Sequence, residues 1–301
     1  MKLFEERTPD TQYRDRLLLI RSKGELVGKT PQGVGALTLF GELPPMVFDM
    51  SSDTGNGIPM ITERDISGFW KQSIDEIFSF IRGVRTNKEL KKNGCHFWGP
   101  WVTKDKCAKR GLKEGDLGPG SYGAAFHDFP TAEGEPFNQF AFILQQILER
   151  PELRTHFISP WIPQYAVRVT GRTQKVVVCT CHGWIHIRIM NGKAHLHMFQ
   201  RSADMPIGVP SNMIQYAALL LALAHVTGYK VGKYCHSFSD AHIYKDQLVC
   251  VDEMLSREPR QLPTLSIAKD APSDLFSFRS EHFVLSDYNP HPVIKDIPVG
   301  I

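Results

Sequence analysis

Apolar and polar positions repeat with a helical period in some stretches of this chain and alternate in others. From Ser67 to Ile81 the residues Phe69, Trp70, Ile74, Ile77, Phe78 and Ile81 recur every three or four positions, which predicts a helix ended by Gly83. Further helices are predicted at 138–149, at 212–227 with Ser211 as N-cap and Gly228 as stop, and near 245–257. The apolar run from Met213 to Val226 is interrupted by Gln215, Tyr216 and His225 and falls short of the roughly 18 residues of a membrane span, so a buried helix is expected. Residues 34–49 alternate loosely and predict one strand closed by Pro44-Pro45, with 53–57 as loop. Residues 176–190 are β-rich, and between Ile185 and Ile189 apolar residues alternate with His186 and Arg188. Asn191-Gly192 then signals a type I′ hairpin leading into 193–199, an antiparallel pair, and 231–244 reads as a short polar-aromatic strand. Residues 101–136 hold nine Gly or Pro with little periodicity and read as a long functional loop region. No repeat, low-complexity tract or flexible linker divides the chain, so residues 1–301 read as one domain.

Composition narrows the function classes. The 35 Lys and Arg against 32 Asp and Glu leave a net charge of +3, too small for a nucleic-acid groove but compatible with local capture of a small anion. No nucleic-acid substrate and no membrane association are expected. The N-terminus, MKLFEERTPD, has no apolar segment after its first charges, and six cysteines form no dense framework, so a reducing compartment, the cytoplasm, is expected. At least one of those cysteines is then free to act as a working thiol.

Cys181-His182 lies in a strand-like run, and Gln200-Arg201-Ser202-Ala203-Asp204 arrives on the return arm of the hairpin. A guanidinium beside a thiol favours the thiolate, the nucleophilic form; the same Cys also reads as a buried, inert residue. Cys179, Cys181, His182, His186, His195 and His197 fall within nineteen residues and raise the question of a metal. Structural zinc sites use C-x2-4-C knuckles, whereas C-x-C-H in one strand sends neighbouring side chains to opposite faces, so no metal site is expected and His195 and His197 read as a polar strand face. His242 and Tyr244 stand two apart in Asp240-Ala241-His242-Ile243-Tyr244 and share a face, as a sugar-hydroxyl pair or as an ordinary aromatic strand face. Glu76 is either a solvated helix residue or a carboxyl aimed into a site, and spacing leaves both open.

In order and spacing, these pieces resemble the thymidylate synthase family from about residue 15 to the C-terminus. The resemblance is carried by QRSADMPIGVPSNMIQYAALLLALAHVTGY (200–229), DEIFSFIRG (75–83), FWGPW (97–101), GDLGPGSYG (115–123), the Cys-His pair, DAHIY (240–244), LSREPRQLP (255–263) and YNPHPVIK near the end. It implies an α+β fold in which a large mixed or antiparallel sheet packs with helices and meets its twin, sheet to sheet, in a homodimer. It also implies one-carbon transfer from 5,10-methylenetetrahydrofolate to C5 of a pyrimidine deoxynucleotide. In that scheme Cys181 attacks C6, Arg201 lowers the thiol pKa and binds the nucleotide phosphate, and Ser202 donates to the same phosphate. Glu76 organises water and proton transfers, Tyr122 assists removal of the C5 proton, Gln200 contacts the substrate, and Asp204 binds the base or the pterin. His242 and Tyr244 hold the 3′-hydroxyl, Trp98 and Trp101 form a folate wall, Ile301 closes over it, and Arg154 reaches the phosphate in the partner's site. Asn212 offers a donor and an acceptor that match O4 and N3–H of uracil, where a carboxylate would suit cytosine, so dUMP is favoured over dCMP.

The chain also departs from the family pattern. It has Thr180-Cys181-His182 for Pro-Cys-His, YGAAFH (122–127) for Tyr-Gly-x-Gln-Trp-Arg, Ser237-Phe238-Ser239-Asp240 for Thr-Gly-Gly-Asp, and Thr155 where a second phosphate arginine is usual. Such changes beside an intact catalytic set imply a specialised relative: a dUMP hydroxymethylase of the kind some bacteriophages use for DNA modification. Thymidylate synthase itself and a non-enzymatic nucleotide-binding or interaction protein are the alternatives.

Overall fold

The computed structural model describes residues 1–300. Its helices are α1 (Gln12–Lys23), α2 (Trp70–Ile81), α3 (Asn87–Lys92), α4 (Lys104–Ala108), α5 (Tyr122–His127), α6 (Gln139–Glu149), α7 (Pro163–Ala166), α8 (Gly208–Thr227) and α9 (Leu248–Leu255). Its strands are β1 (Glu25–Val27), β2 (Ala36–Phe40), β3 (Met46–Asp49), β4 (Phe157–Ile158), β5 (His182–Met190), β6 (Lys193–Asp204), β7 (Lys230–Tyr244), β8 (Thr264–Ile267) and β9 (Phe283–Ser286). The main sheet runs β1-β2-β7-β6-β5-β4, with β3 also on β7, and β8-β9 form a separate pair. The fold is α+β with a mixed sheet.

The hairpin forms as its turn residues dictate. Met190 pairs with Lys193 across Asn191 (φ 51°) and Gly192 (φ 71°), and a type I′ turn needs both residues left-handed. Strands β6 and β7 are parallel, so the chain must cross back over the sheet between them, and α8 makes that crossing. This helix is longer than the sequence predicts: at 20 residues it is long and apolar enough to cross a membrane, yet 83% of its apolar window is buried inside the fold. It begins at Gly208 because Pro210, lacking an N–H, is tolerated in a first helical turn. Ser211 is therefore inside the helix and not its cap, and its hydroxyl bonds Ser73 Oγ on α2 at 2.7 Å.

Other boundaries also differ. Residues 34–49 form two strands in line, β2 and β3, separated by the turn at 41–45, and both pair with the fifteen-residue β7. Pro44-Pro45 breaks the segment in its middle instead of closing it. Regular pairing in the first hairpin arm starts only at His182, so 176–181 is not strand, and the 101–136 loop region contains α4 and α5. The predicted helices 67–81 and 138–149 are present as α2 and α6, and that near 245–257 shortens to α9.

Helix α2 lies between α8 and α5 and is buried along almost its whole length, which brings two carboxylates inside with it. Asp75 is structural: it accepts from the Ser280 amide at 2.8 Å and the Ser280 hydroxyl at 2.7 Å. Glu76 points the other way, toward α8 and Trp98.

Candidate active site

Cys181 immediately precedes β5, beside a bulge between His182 and Trp184 that re-aims the strand. The bulge residue is Gly183 because a Cβ there would stand 2.7 Å from the Phe199 ring. Tyr122, the first residue of α5, closes the other side: its hydroxyl oxygen accepts the amides of Cys181 at 2.6 Å and His182 at 3.2 Å. Arg201 lies across the strand pair, donating through Nε to the Thr180 carbonyl at 2.8 Å and through Nη2 to the Cys179 carbonyl at 3.0 Å. The same Nη2 is 3.9 Å from Cys181 Sγ, and the guanidinium stacks over Trp161 at 5.2 Å. Two backbone carbonyls thus pin the guanidinium beside the thiol. Arg201 acts on the thiol in the expected direction, but burial is the larger influence and pushes the Cys181 thiol above its ordinary value.

A polar chain crosses the floor of the site. Glu76 Oε1 accepts the Trp98 indole N–H at 2.5 Å, and Oε2 accepts Gln215 Nε2. Gln215 Oε1 accepts from Asn212 Nδ2 at 3.1 Å, and Asn212 Oδ1 accepts from Gln200 Nε2 at 3.0 Å. Gln200 Oε1 lies 2.8 Å from His236 Nε2, and His236 Nδ1 lies 3.0 Å from the Tyr234 hydroxyl. Burial raises Glu76 to about 7, the two donors only partly offsetting it. Of the two readings left open for this residue, the buried carboxyl is the one observed. Burial pulls His182 down to about 3, so its ring is neutral, with Nδ1 2.7 Å from the Tyr216 hydroxyl.

Aromatic and acidic side chains complete the set of candidate residues. Trp98 and Trp101 lie 6.1 Å apart at 56°, both half-buried. Asp204, at the end of β6, is lifted by burial to about 6. Gln247 reaches both its oxygens at 3.2 and 3.3 Å and also donates to the Pro298 carbonyl at 2.9 Å, tying the C-terminal segment to this carboxyl. Gly300 lies so close to Tyr244 that a Cβ there would meet the ring at 2.6 Å. Ile301 lies outside the described residues. His242 and Tyr244 are buried on β7 with their rings edge to face at 5.0 Å, and Asp240 Oδ1 is 3.7 Å from His242 Nδ1, buried and without a hydrogen-bond partner among the described residues.

The fold thus brings together Cys181, Tyr122, Arg201, Glu76, Trp98, Asn212 and Gln200 through direct bonds or one shared partner, while Ser202, Asp204, His242 and Tyr244 continue the same strands. Arg154 does not join them. It is exposed before β4, its carbonyl accepts from His186, and five strand residues, about 17 Å, separate that position from Cys181. Next to Cys179 a cleft of about 380 Å3 is lined by Lys109, Arg110, Arg168 and Arg172, and Arg168 and Arg110 act with Arg201 to lower the Cys179 thiol against burial. Among the described residues no three His, Cys, Asp or Glu side chains converge as metal ligands. Sequence reasoning passed over Gln215, His236, Gln247 and Asp240. Only Gln215 carried a usable signal, as an amide interrupting an apolar helix.

A buried thiol with a guanidinium, a carboxyl near 7 and an amide-lined floor equip this site to add a nucleophile to a planar, hydrogen-bonding ring and to move protons around it. The sequence profile of the thymidylate synthase family matches residues 11–299. Members of that family transfer one-carbon units from 5,10-methylenetetrahydrofolate to C5 of a pyrimidine nucleotide. With its profile spanning all but twelve of the 301 residues, the chain belongs to the thymidylate synthase family.

Proposed function

We propose that this chain is a dUMP hydroxymethylase, converting dUMP, 5,10-methylenetetrahydrofolate and water to 5-hydroxymethyl-dUMP and tetrahydrofolate. The observation that carries the reading is Glu76: a buried carboxyl near 7 is part ionised at neutral pH and can take a proton from water beside the base. One departure from the family pattern adds support because it touches the same floor: Phe238 stacks on His236 at 4.4 Å.

In this mechanism the Cys181 thiol gives up its proton to solvent, Sγ bonds to C6 of the pyrimidine, and the C5–C6 π pair moves onto C5. Tyr122 holds the nucleophile in place through the Cys181 and His182 amides and directs loss of the C5 proton. Asn212 reads O4 and N3–H, Gln200 orients it, His242 and Tyr244 hold the 3′-hydroxyl, and Arg201 with Ser202 holds the phosphate. The folate donor supplies a one-carbon unit at the oxidation level of formaldehyde. The site fits it: two half-exposed indoles suit a flat heteroaromatic ring, and the Asp204 carboxyl suits ring N–H groups. C5 would take the donated carbon as its two C–N bonds break, and the donor would depart as tetrahydrofolate carrying the C5 proton and the proton that Glu76 takes from water. The water oxygen adds to the carbon at C5, and Cys181 leaves C6 as a thiolate.

Arg154 is assigned to the partner's phosphate, because it is remote from Cys181 in its own chain. Pairing through the outer sheet face is supported by the aromatic cluster there. Phe157, 45% exposed, lies 5.5 Å from Trp184, which stacks on Phe199 at 5.5 Å. The second reading, thymidylate synthase, is favoured by the C-terminal segment, whose bond from Gln247 and contact with Tyr244 close the pocket against water. Product analysis separates the two. Incubation with dUMP and methylenetetrahydrofolate should give a nucleotide heavier by one CH2O unit without dihydrofolate absorbance, and dTMP with stoichiometric dihydrofolate would replace the proposal by the second reading.

A further inference from the structure

We infer that Gln215, acting with His236, determines which pyrimidine Asn212 reads, by fixing the orientation of its amide from both ends of a one-way hydrogen-bond chain. The inference deepens the uracil reading above and rests on it.

The direction of the chain follows from its two ends. Above about pH 7, where Glu76 is ionised and only accepts, Gln215 must turn its NH2 toward Glu76 and its carbonyl toward Asn212. At the far end the Gln200 NH2 donates to the Ser202 carbonyl at 3.1 Å as well as to Asn212, so its own carbonyl faces His236. His236 is held neutral by burial and must then carry its proton on Nε2, leaving Nδ1 to accept from Tyr234. Phe238 stacked on the ring limits its rotation. Asn212, between the two glutamines, receives on its oxygen and donates from its nitrogen. One N–H and one lone pair remain beyond the two glutamine bonds, with the neutral His182 ring also beside the Asn212 side chain, and their order matches uracil O4 and N3–H.

Cytosine presents the opposite order. To read it, the Asn212 amide must rotate, setting Nδ2 against Gln200 Nε2 and Oδ1 against Gln215 Oε1. Relieving those contacts requires both glutamines to rotate. A rotated Gln200 loses the Ser202 carbonyl and needs the other His236 tautomer, and a rotated Gln215 turns its carbonyl onto Glu76. Gln200, Gln215 and His236 are at most 3% exposed, so solvent cannot replace the lost bonds. Packing alone gives no reason for an amide at 215, since Met213, Ile214 and Ala217 fill the same core. Gln215 is thus a positioning residue for Asn212.

The test uses calorimetric binding of dUMP and dCMP to the full chain without folate, so it is independent of how turnover ends. For Gln215→Met and, separately, His236→Phe, the ratio of dCMP to dUMP dissociation constants should fall at least tenfold from that of the unmodified protein. Gln215→Glu at pH 6, where one proton shared with Glu76 can restore both bonds, should hold the ratio within threefold. A merely structural role would weaken both nucleotides alike. Folded Gln215→Met, or His236→Phe if the first variant does not fold, with a ratio unchanged within twofold overturns the inference while leaving the uracil reading intact. Tighter binding of dCMP than dUMP by the unmodified protein overturns the uracil reading and the inference together.

Discussion

Glu76→Gln isolates the energetic consequence of placing a carboxyl in the site. Raised from its ordinary 4.5 to about 7, Glu76 binds its proton more tightly folded than unfolded. Stability from this group is therefore full below about pH 4.5 and is lost as pH rises through 7. The full difference is about 3 kcal/mol, at 1.36 kcal/mol per tenfold change, and about 2.5 kcal/mol of it falls between pH 5 and pH 8. Asp204 and Glu63, both raised by burial to about 6, slope the same way, so the curve of the unmodified protein alone cannot assign the effect. The difference between the two proteins can, because those groups are common to both. Urea unfolding at pH 5 and pH 8, at one fixed protomer concentration, should show the unmodified protein losing about 2.5 kcal/mol more than Glu76→Gln over that interval. At pH 8 the variant gains from the removed charge but loses part of the gain, since its amide NH2 must face either Trp98 Nε1–H or the Gln215 NH2, a donor against a donor. Parallel pH dependences, within about 0.5 kcal/mol, would refute the placement of an ionisable, desolvated carboxyl at this position.

Cys181→Ser should abolish turnover and the covalent nucleotide adduct seen by intact-protein mass, and turnover near that of the unmodified protein would remove the nucleophile from the mechanism. Asn212→Asp should move preference from dUMP toward dCMP in competition assays by about tenfold or more. It should weaken dUMP binding as well, because Gln215 Oε1 would then face a carboxylate oxygen. Tyr122→Phe leaves the Cys181 and His182 amides without their acceptor, so it should cost about 1–3 kcal/mol in urea unfolding and lower kcat. Unchanged stability together with unchanged kcat would show that Tyr122 positions nothing.

What could be read from the sequence was whatever a local pattern encodes. The period of α2 and the Asn191-Gly192 turn lie within a few residues, Cys181 and Arg201 meet across adjacent hairpin arms, and Asn212, on α8, was legible only through the family resemblance. Pro44-Pro45 marks the break between β2 and β3, but alternation resumes at Met46, and only pairing with β7 shows that the two pieces are separate strands. Bonds between distant elements leave no such trace: Gln215 and Glu76 are 139 residues apart. Yet the three polar residues interrupting the apolar helix α8 held recoverable information. A helix that crosses a core can carry a buried polar side chain only where something bonds it. His225 avoids that demand by standing exposed near the helix end, so Gln215 and Tyr216 are the two that require partners. Their side chains leave the helix about 100° apart, and each finds a functional group, Glu76 for Gln215 and His182 for Tyr216. Adjacent polar interruptions in this apolar helix therefore mark the level at which it passes the candidate site, with Glu76 on one side and His182, the neighbour of Cys181, on the other.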